Sequence, residues 1–259
     1  MSKLHVVTIQ SNLIWEDVNA NLNQFETKLA LVDRKADLVV LPEMFTTGFS
    51  MNTALAEFSG DTTMTWMEKM ASHHGFSICG SVMIKNANNE VFNRLIWMNP
   101  DGSYHTYDKR HLFSIGSEDN YFVPGQQKKI INFKGFNIQL LICYDLRFPV
   151  WIRRTKQEDY EAIVLVANWP EKRAAHWKAL LRARAIENQC FVVAVNRVGF
   201  DGKQIAHSGD SCVIEPTGTV AYEKSFDEEV KMHLLDKELV NNYRKEFPVI
   251  NDADAFGLL

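Results

Sequence analysis

Three residues of complementary chemistry each close a strand-like run: Glu43 after Leu-Val-Val-Leu-Pro, Lys109 after a segment beginning at Ser103, and Cys143 after Phe136-Asn-Ile-Gln-Leu-Leu-Ile. A carboxylate, an ammonium and a thiol together suit amide hydrolysis. The thiolate attacks the carbonyl, the carboxylate takes the thiol proton and returns it to the leaving nitrogen, and the ammonium stabilises the oxyanion. Glu43 beside Lys109 stays charged, and beside Cys143 it accepts a proton without the help of a histidine. Phe136–Trp151 reads as a nucleophile elbow. A buried strand delivers Cys143 to a polar Tyr-Asp turn just before a helix led by Pro149, and the next backbone N–H, that of Tyr144, is free to face an oxyanion. A nearby lysine or helix N-terminus lowers a thiol pKa and so favours the reactive thiolate. Each residue alone has an ordinary alternative: a small core cysteine, a solvated loop glutamate, an exposed lysine at a strand end. It is their coincidence at strand C-terminal ends, where ligands bind in α/β sheets, that marks a site.

The elements that carry these residues alternate. A strand over 4–9 precedes an amphipathic helix over about 17–32, with Val18, Leu22, Phe25, Leu29 and Val32 at helical spacing. Asp37–Glu43 gives a second buried strand, and a helix over about 62–74 is closed by Gly75. Phe76–Lys85, Val91–Met98 and Ser103–Lys109 follow as antiparallel strands around Asn-Ala-Asn-Asn and Asp-Gly turns. Residues 112–127 lack periodicity and hold Gly116, Glu118, Pro124 and Gly125, so a functional loop is expected there. After the Cys143 strand come a helix near 149–157, a strand over Glu161–Asn168, a helix from about 174 to 189 and a strand over Phe191–Asn196. A Gly-Phe-Asp-Gly loop, strands near 211–215, 219–224 and 229–235, and a helix over 237–245 complete the chain. No repeat, low-complexity tract or linker divides the 259 residues, so one α/β domain over 1–259, with sheets covered by helices on their outer faces, is the expected organisation.

Composition narrows the partners. With 46% hydrophobic and 23% charged residues the chain buries a sizeable core, and a net charge of -4 gives no reason to invoke nucleic acid or an anionic membrane. No run reaches membrane-spanning length and the opening residues lack a secretory pattern, so a cytoplasmic protein is expected. Cys79, Cys143, Cys190 and Cys212 are widely spaced without a Cys-x-x-Cys, which fits reduced thiols. His73, His74, His105, His111, His176 and His207 show no metal-ligand spacing, so neither metal nor cofactor is expected.

Leu-Pro-Glu43, Tyr-Asp-Lys109-Arg-His-Leu-Phe and Ile-Cys143-Tyr-Asp-Leu-Arg-Phe-Pro resemble, in order and spacing, the Glu–Lys–Cys signatures of the nitrilase (carbon–nitrogen hydrolase) superfamily. The likeness extends through Ala-Asn168-Trp169-Pro, the His176–Asn188 segment and Asn196-Arg197-Val-Gly. Asn-Trp-Pro and Glu-Met-Phe-Thr-Thr-Gly-Phe-Ser look most like the bacterial omega-amidases, or 2-oxoglutaramate amidases. One departure stands out: Val150 follows Arg-Phe-Pro where many relatives carry Glu, which bears on a local contact at the helix start and not on the chemistry.

The resemblance implies a four-layer α-β-β-α sandwich, paired into a homodimer through the helices near the active-site turn and the tail at about 246–259. It also implies Cys143 as nucleophile, Glu43 as general base and then acid, and Lys109 with the Tyr144 N–H as oxyanion partners. Glu118, six residues before Pro124, stands where relatives place a second acidic residue that orients the lysine. An omega-amidase substrate such as 2-oxoglutaramate or 2-oxosuccinamate carries a carboxylate away from the reacting amide, so a cation is required there. Arg147 and then Arg173 are the candidates, and Phe45, Phe122 and Trp169 are candidate apolar walls. Two alternatives keep the scaffold: an enzyme for a nitrile, carbamoyl amine or other short amide, and a silent binding protein. The second predicts loss of a catalytic residue, and none is lost.

Overall fold

The computed structural model describes residues 2–257, and among them two seven-stranded sheets stack face to face. The first half supplies β1 (Lys3–Gln10), α1 (Val18–Leu29), β2 (Leu38–Val40), β3 (Glu57–Phe58), α2 (Thr62–His74), β4 (Ser77–Lys85), β5 (Val91–Met98) and β6 (Tyr104–Asp108). The second supplies β7 (Ile130–Phe133), β8 (Phe136–Ile142), α3 (Pro149–Ile152), β9 (Ala162–Ala167), α4 (Ala174–Asn188) and β10 (Phe191–Asn196). Then come β11 (Val198–Phe200), β12 (Ala206–Ile214), β13 (Val220–Ser225), β14 (Glu229–Asp236) and α5 (Lys237–Glu246).

One sheet runs β14-β1-β2-β4-β5-β6 with β3 beside β4, and the other runs β11-β12-β10-β9-β8-β7 with β13 beside β12. The centre of each sheet is parallel: β1, β2 and β4 in the first, β8, β9 and β10 in the second. Parallel strands buried on both faces need continuous apolar runs, which is what Leu38–Val40, Ala162–Ala167 and Phe191–Val195 are. Inner-face residues Leu4, Val6, Leu95 and Trp97 meet Ile138, Leu140 and Ile142 in the central core. Phe25 and Leu29 of α1 and Met67 and Met70 of α2 cover the outside of the first sheet, while Trp177 and Leu181 of α4 cover the second. The result is the four-layer α-β-β-α sandwich, and β14 stitches the end of the chain back onto β1.

Where the structure departs from expectation, polar anchoring explains it. The helix over 149–157 is cut to Pro149–Ile152, because the following arginines are drawn to the end of α4. There Arg153 Nη1 donates to the Glu187 carbonyl and the Arg154 N–H to Asn188 Oδ1 at 2.9 Å. β12 starts at Ala206 instead of 211, since His207, Ser208, Asp210 and Ser211 in its first half are polar yet buried and carry no apolar alternation. The Gly-Phe-Asp-Gly stretch is therefore the end of β11 and the start of the turn, residues 201–205, of a hairpin between β11 and β12. The last turn of the tail, Val249–Asp252, is followed by exposed chain to Gly257; Leu258 and Leu259 of the predicted contact tail lie outside the described residues.

Candidate active site

Glu43, Lys109 and Cys143, 100 residues apart at the extremes, converge where the C-terminal ends of β2, β6 and β8 meet. The Lys109 ammonium donates to Glu43 Oε1 at 2.8 Å and to both oxygens of Glu118, at 3.0 and 2.9 Å, with all three side chains fully buried. Burial alone would lower the lysine pKa, but Glu118 and Glu43 outweigh it and hold the ammonium above its ordinary range. Close approach of the loop backbone fixes the position of Lys109. The Gly125 N–H donates to the Lys109 carbonyl at 2.8 Å, and a Cβ on Gly125 would stand 2.1 Å from the Asp108 carbonyl oxygen, so only glycine fits.

The Cys143 turn is strained. Cys143 has φ +43° and Met44, next to Glu43, has φ +42°, a region that costs a non-glycine residue of order 1–3 kcal/mol. Buried Asp145 holds the elbow: it accepts from the Ile142 N–H at 3.0 Å, the Tyr107 hydroxyl at 2.7 Å, and the His111 N–H and Nδ1 at 3.0 and 2.8 Å. One carboxylate thus ties the Cys143 turn to the strand and loop that carry Lys109. The expected lowering of the thiol pKa is not what the site produces. Burial first, and then the charge of Glu43, push the Cys143 thiol well up, and Lys109 only partly opposes them. Burial and the neighbouring Glu43 thus favour the protonated thiol in the resting site.

Cys143 opens into a cavity of about 300 Å³ that Lys109, Tyr144, Arg147, Asn168, Trp169 and Arg173 also line. Pockets for small molecules run from roughly 300 to 1,000 Å³, so this one takes a short ligand. The Arg147 guanidinium lies 4.7 Å from the Trp169 ring centre and that of Arg173 5.2 Å from Phe113. Arg173 is held below its ordinary pKa by burial and then by the charge of Arg147, so the two cations share one wall. His207, on the wall formed by the β11–β12 hairpin, is pushed down to about 4 by burial and then by Arg197, and is neutral near pH 7.

Phe45 and Phe122 do not line this cavity. Phe45 packs edge-on against Phe25 at 5.5 Å and beside Trp66 at 6.0 Å, and a Cβ on Gly80 would fall 2.8 Å from its ring. Phe122 is buried with Met44, Met83 and Val91 beneath the Glu43 loop. The aromatic walls are instead Phe49, whose ring lies 5.0 Å from Lys109 Nζ, and Phe113, together with Trp169. Loop residues have no periodicity to say which of two phenylalanines four positions apart turns inward. Asn93 and Asn168 were also missed as supporting groups. Asn93 donates to Glu43 at 2.8 Å and Glu118 at 3.2 Å, and the Asn168 N–H donates to Glu43 Oε2 at 2.7 Å. Asn93 did leave a signal, being an uncharged polar residue at an inward, buried position of the Val91–Met98 strand, whose other polar residue, Arg94, alternates to the opposite face.

Two stacked sheets with an acid, an ammonium and a thiol at their joined edge define a hydrolase of carbon–nitrogen bonds, and the chain belongs to the carbon-nitrogen hydrolase family, whose model matches residues 5–245. It is 40% identical over 259 residues to omega-amidase YafV of Escherichia coli (strain K12), with 100% of both chains covered. It is 33% identical over 254 residues to 2-oxoglutaramate amidase of Bacillus subtilis (strain 168), covering 96% of this chain and 97% of that one. The crystal structure of a Xanthomonas campestris CN-hydrolase superfamily protein with an arsenic adduct in its active site superposes with a TM-score of 0.97 at 40% identity, covering 100% of each chain. Saccharomyces cerevisiae Nit3, a nitrilase superfamily member, superposes at 0.87 with 24% identity over 96% of this chain and 95% of its own, which bears on the fold alone.

Proposed function

We propose that the protein is an omega-amidase that hydrolyses the terminal amide of short 2-oxo dicarboxylic acid monoamides, such as 2-oxoglutaramate and 2-oxosuccinamate. The products are the 2-oxo acid and ammonia. One observation carries the choice of substrate: Arg147 and Arg173 stand together on the wall of a small cavity that has the Cys143 thiol at its floor. The ion-paired arginines among the described residues are Arg94, Arg154, Arg184 and Arg244. Arg147 and Arg173 thus have no carboxylate partner among the described residues, and a ligand carboxylate between them relieves their mutual repulsion. Likeness to the omega-amidase and the 2-oxoglutaramate amidase supports the same reading.

In this reading the amide carbonyl carbon sits against Cys143 Sγ with the far carboxylate on the two arginines. Glu43 takes the thiol proton as sulfur attacks, and the charge of Lys109 and the Tyr144 N–H stabilise the oxyanion. Glu43 returns the proton to the amide nitrogen, the C–N bond breaks, ammonia leaves and a thioester remains. Glu43 then removes a proton from water, whose oxygen attacks the thioester, and the thiol leaves reprotonated. Glu118 keeps Lys109 in place throughout. We also infer that residues 1–259 act as one hydrolase domain, in the cytoplasm and as a homodimer. In the dimer, the α3 and α4 region, where Val150 and Ile186 are about half exposed, faces the partner together with the tail.

The test is ammonia release from 2-oxoglutaramate, 2-oxosuccinamate, glutamine, an uncharged short amide and a nitrile, with the acyl-enzyme trapped by acid quench and weighed intact. A mass increase matching the 2-oxo acyl group, mapped to the Cys143 peptide and missing in Cys143→Ala, is expected. Turnover of 2-oxoglutaramate by Cys143→Ala at the wild-type rate would overturn the assignment.

A further inference from the structure

Both carboxylates of the site contact the same lysine, yet only one is needed as a base, and counting lone pairs separates them. An ionised carboxylate offers about four acceptor positions. Glu118 has all of its positions occupied: Lys109 on Oε1 and Oε2 at 3.0 and 2.9 Å, the Phe113 N–H on Oε2 at 2.6 Å, and Asn93 Nδ2 on Oε1 at 3.2 Å. Glu43 has three protein N–H donors: Lys109 and Asn93 on Oε1, each at 2.8 Å, and the Asn168 N–H on Oε2 at 2.7 Å. Its one remaining position lies on Oε2, with the Cys143 thiol as the neighbouring group that carries a proton. Asn93 is the only donor besides Lys109 that these contacts give to both carboxylates, and its main chain is also engaged, because the Lys109 N–H donates to the Asn93 carbonyl at 3.0 Å. Asn93 is fully buried on β5, does not line the cavity, and its Oδ1 has no partner among the described residues. An amide turned the other way would set that oxygen against two anions, so its orientation is dictated by their charge.

We propose that Asn93 is a positioning residue that sorts the proton between the two glutamates. By filling the fourth acceptor position of Glu118 and the second on Glu43 Oε1, its amide keeps Glu118 an anion and directs the thiol proton to Glu43 Oε2. This rests on the amidase reading for the identity of the base, but not for its readout. Removing the amide opens one acceptor position on each carboxylate, makes both more basic, and gives the thiol proton a second place to go.

The experiment uses full-length Asn93→Ala and the isosteric Asn93→Asp beside wild type. It follows two quantities: the pH dependence of Cys143 alkylation by iodoacetamide, which needs no substrate, and kcat and KM for ammonia release from 2-oxoglutaramate. A hydrogen-bond donor lost from a charged acceptor is expected to move the acidic limb of the alkylation profile up by about one pH unit in Asn93→Ala. The shift is expected to be larger in Asn93→Asp, which adds a third buried acid. The same order is expected in kcat, down about tenfold or more in Asn93→Ala, with KM within about twofold because Asn93 does not reach the ligand. Alkylation profiles of both variants that superpose on wild type overturn the proposal, as does a loss confined to thermal stability or to KM. Failure of the amidase reading would look different: wild type would release no ammonia from the amide while the alkylation shifts persisted.

Discussion

Replacing Lys109 with methionine keeps the unbranched stem, shorter by the terminal nitrogen, and removes its charge, leaving Glu43 and Glu118 buried with no cation between them. Taking one partner from a buried ion pair destabilises a protein by roughly 3–5 kcal/mol, because the remaining charge is uncompensated. For a chain of this size each kcal/mol is worth about 2–4 °C in midpoint, so Lys109→Met is expected to melt roughly 6–20 °C below wild type at pH 8. The deficit must depend on pH. Burial already raises the Glu118 pKa above its ordinary 4.5 even with Lys109 opposing, and without Lys109 it rises further. A carboxyl whose folded pKa exceeds its unfolded one favours folding when protonated. Its contribution is fully present below the unfolded value near 4.5 and is lost as pH rises through the folded value. Lys109→Met should therefore regain stability as pH falls from 8 toward 4.5. Lys109→Met/Glu118→Gln should melt above Lys109→Met at pH 8, since one of the two anions is gone. Urea unfolding at several pH values measures all of this. A deficit below about 1 kcal/mol that is flat in pH, or strictly additive losses in the double variant, would refute the ion-pair account.

Arg147→Ala and Arg173→Ala are each expected to lower kcat/KM for 2-oxoglutaramate about 10- to 100-fold, the worth of a charge-assisted hydrogen bond, while changing an uncharged short amide by less than about threefold; equal losses on the two substrates would remove the carboxylate clamp. Phe45→Ala is expected to cost about 3–5 kcal/mol of stability in denaturant melts while leaving KM unchanged, because its ring fills the layer between α1, α2 and β4 and not the cavity. Phe49→Ala should do the reverse, raising KM with a smaller change in melting.

The parts of this molecule that sequence makes legible are those governed by periodicity or by chemistry at a strand end. The apolar run up to Ile142 ends where the sulfur begins, α2 spans the expected 62–74, and Gly75 closes it at φ +79°. Glu43, Lys109, Glu118 and Cys143, read from four separate stretches, are brought together. The illegible parts depend on what a side chain meets across the fold. The thiol was expected to be acidic because of Lys109, but burial and Glu43 dominate once three dimensions are in hand. That Phe49 and not Phe45 faces the cavity depends on what each ring meets across the fold, Lys109 for Phe49 and Phe25 with Trp66 for Phe45, which no local pattern encodes. The start of β12 was hidden because buried polar residues there satisfy one another and Gln10, as when the Ser211 N–H donates to Gln10 Oε1 at 3.0 Å.

The division of the site between layers has a consequence for how the protein comes into being. Glu43, Asn93 and Lys109 ride on the first sheet, whereas Cys143 and Asn168 ride on the second, and β14, the strand that seals the first sheet, comes after every strand of the second along the chain. A chain whose two halves have not yet docked thus carries a plain cysteine and scattered charges. Hydrolytic power arrives only when the two halves dock, so activity and completed tertiary assembly are one event.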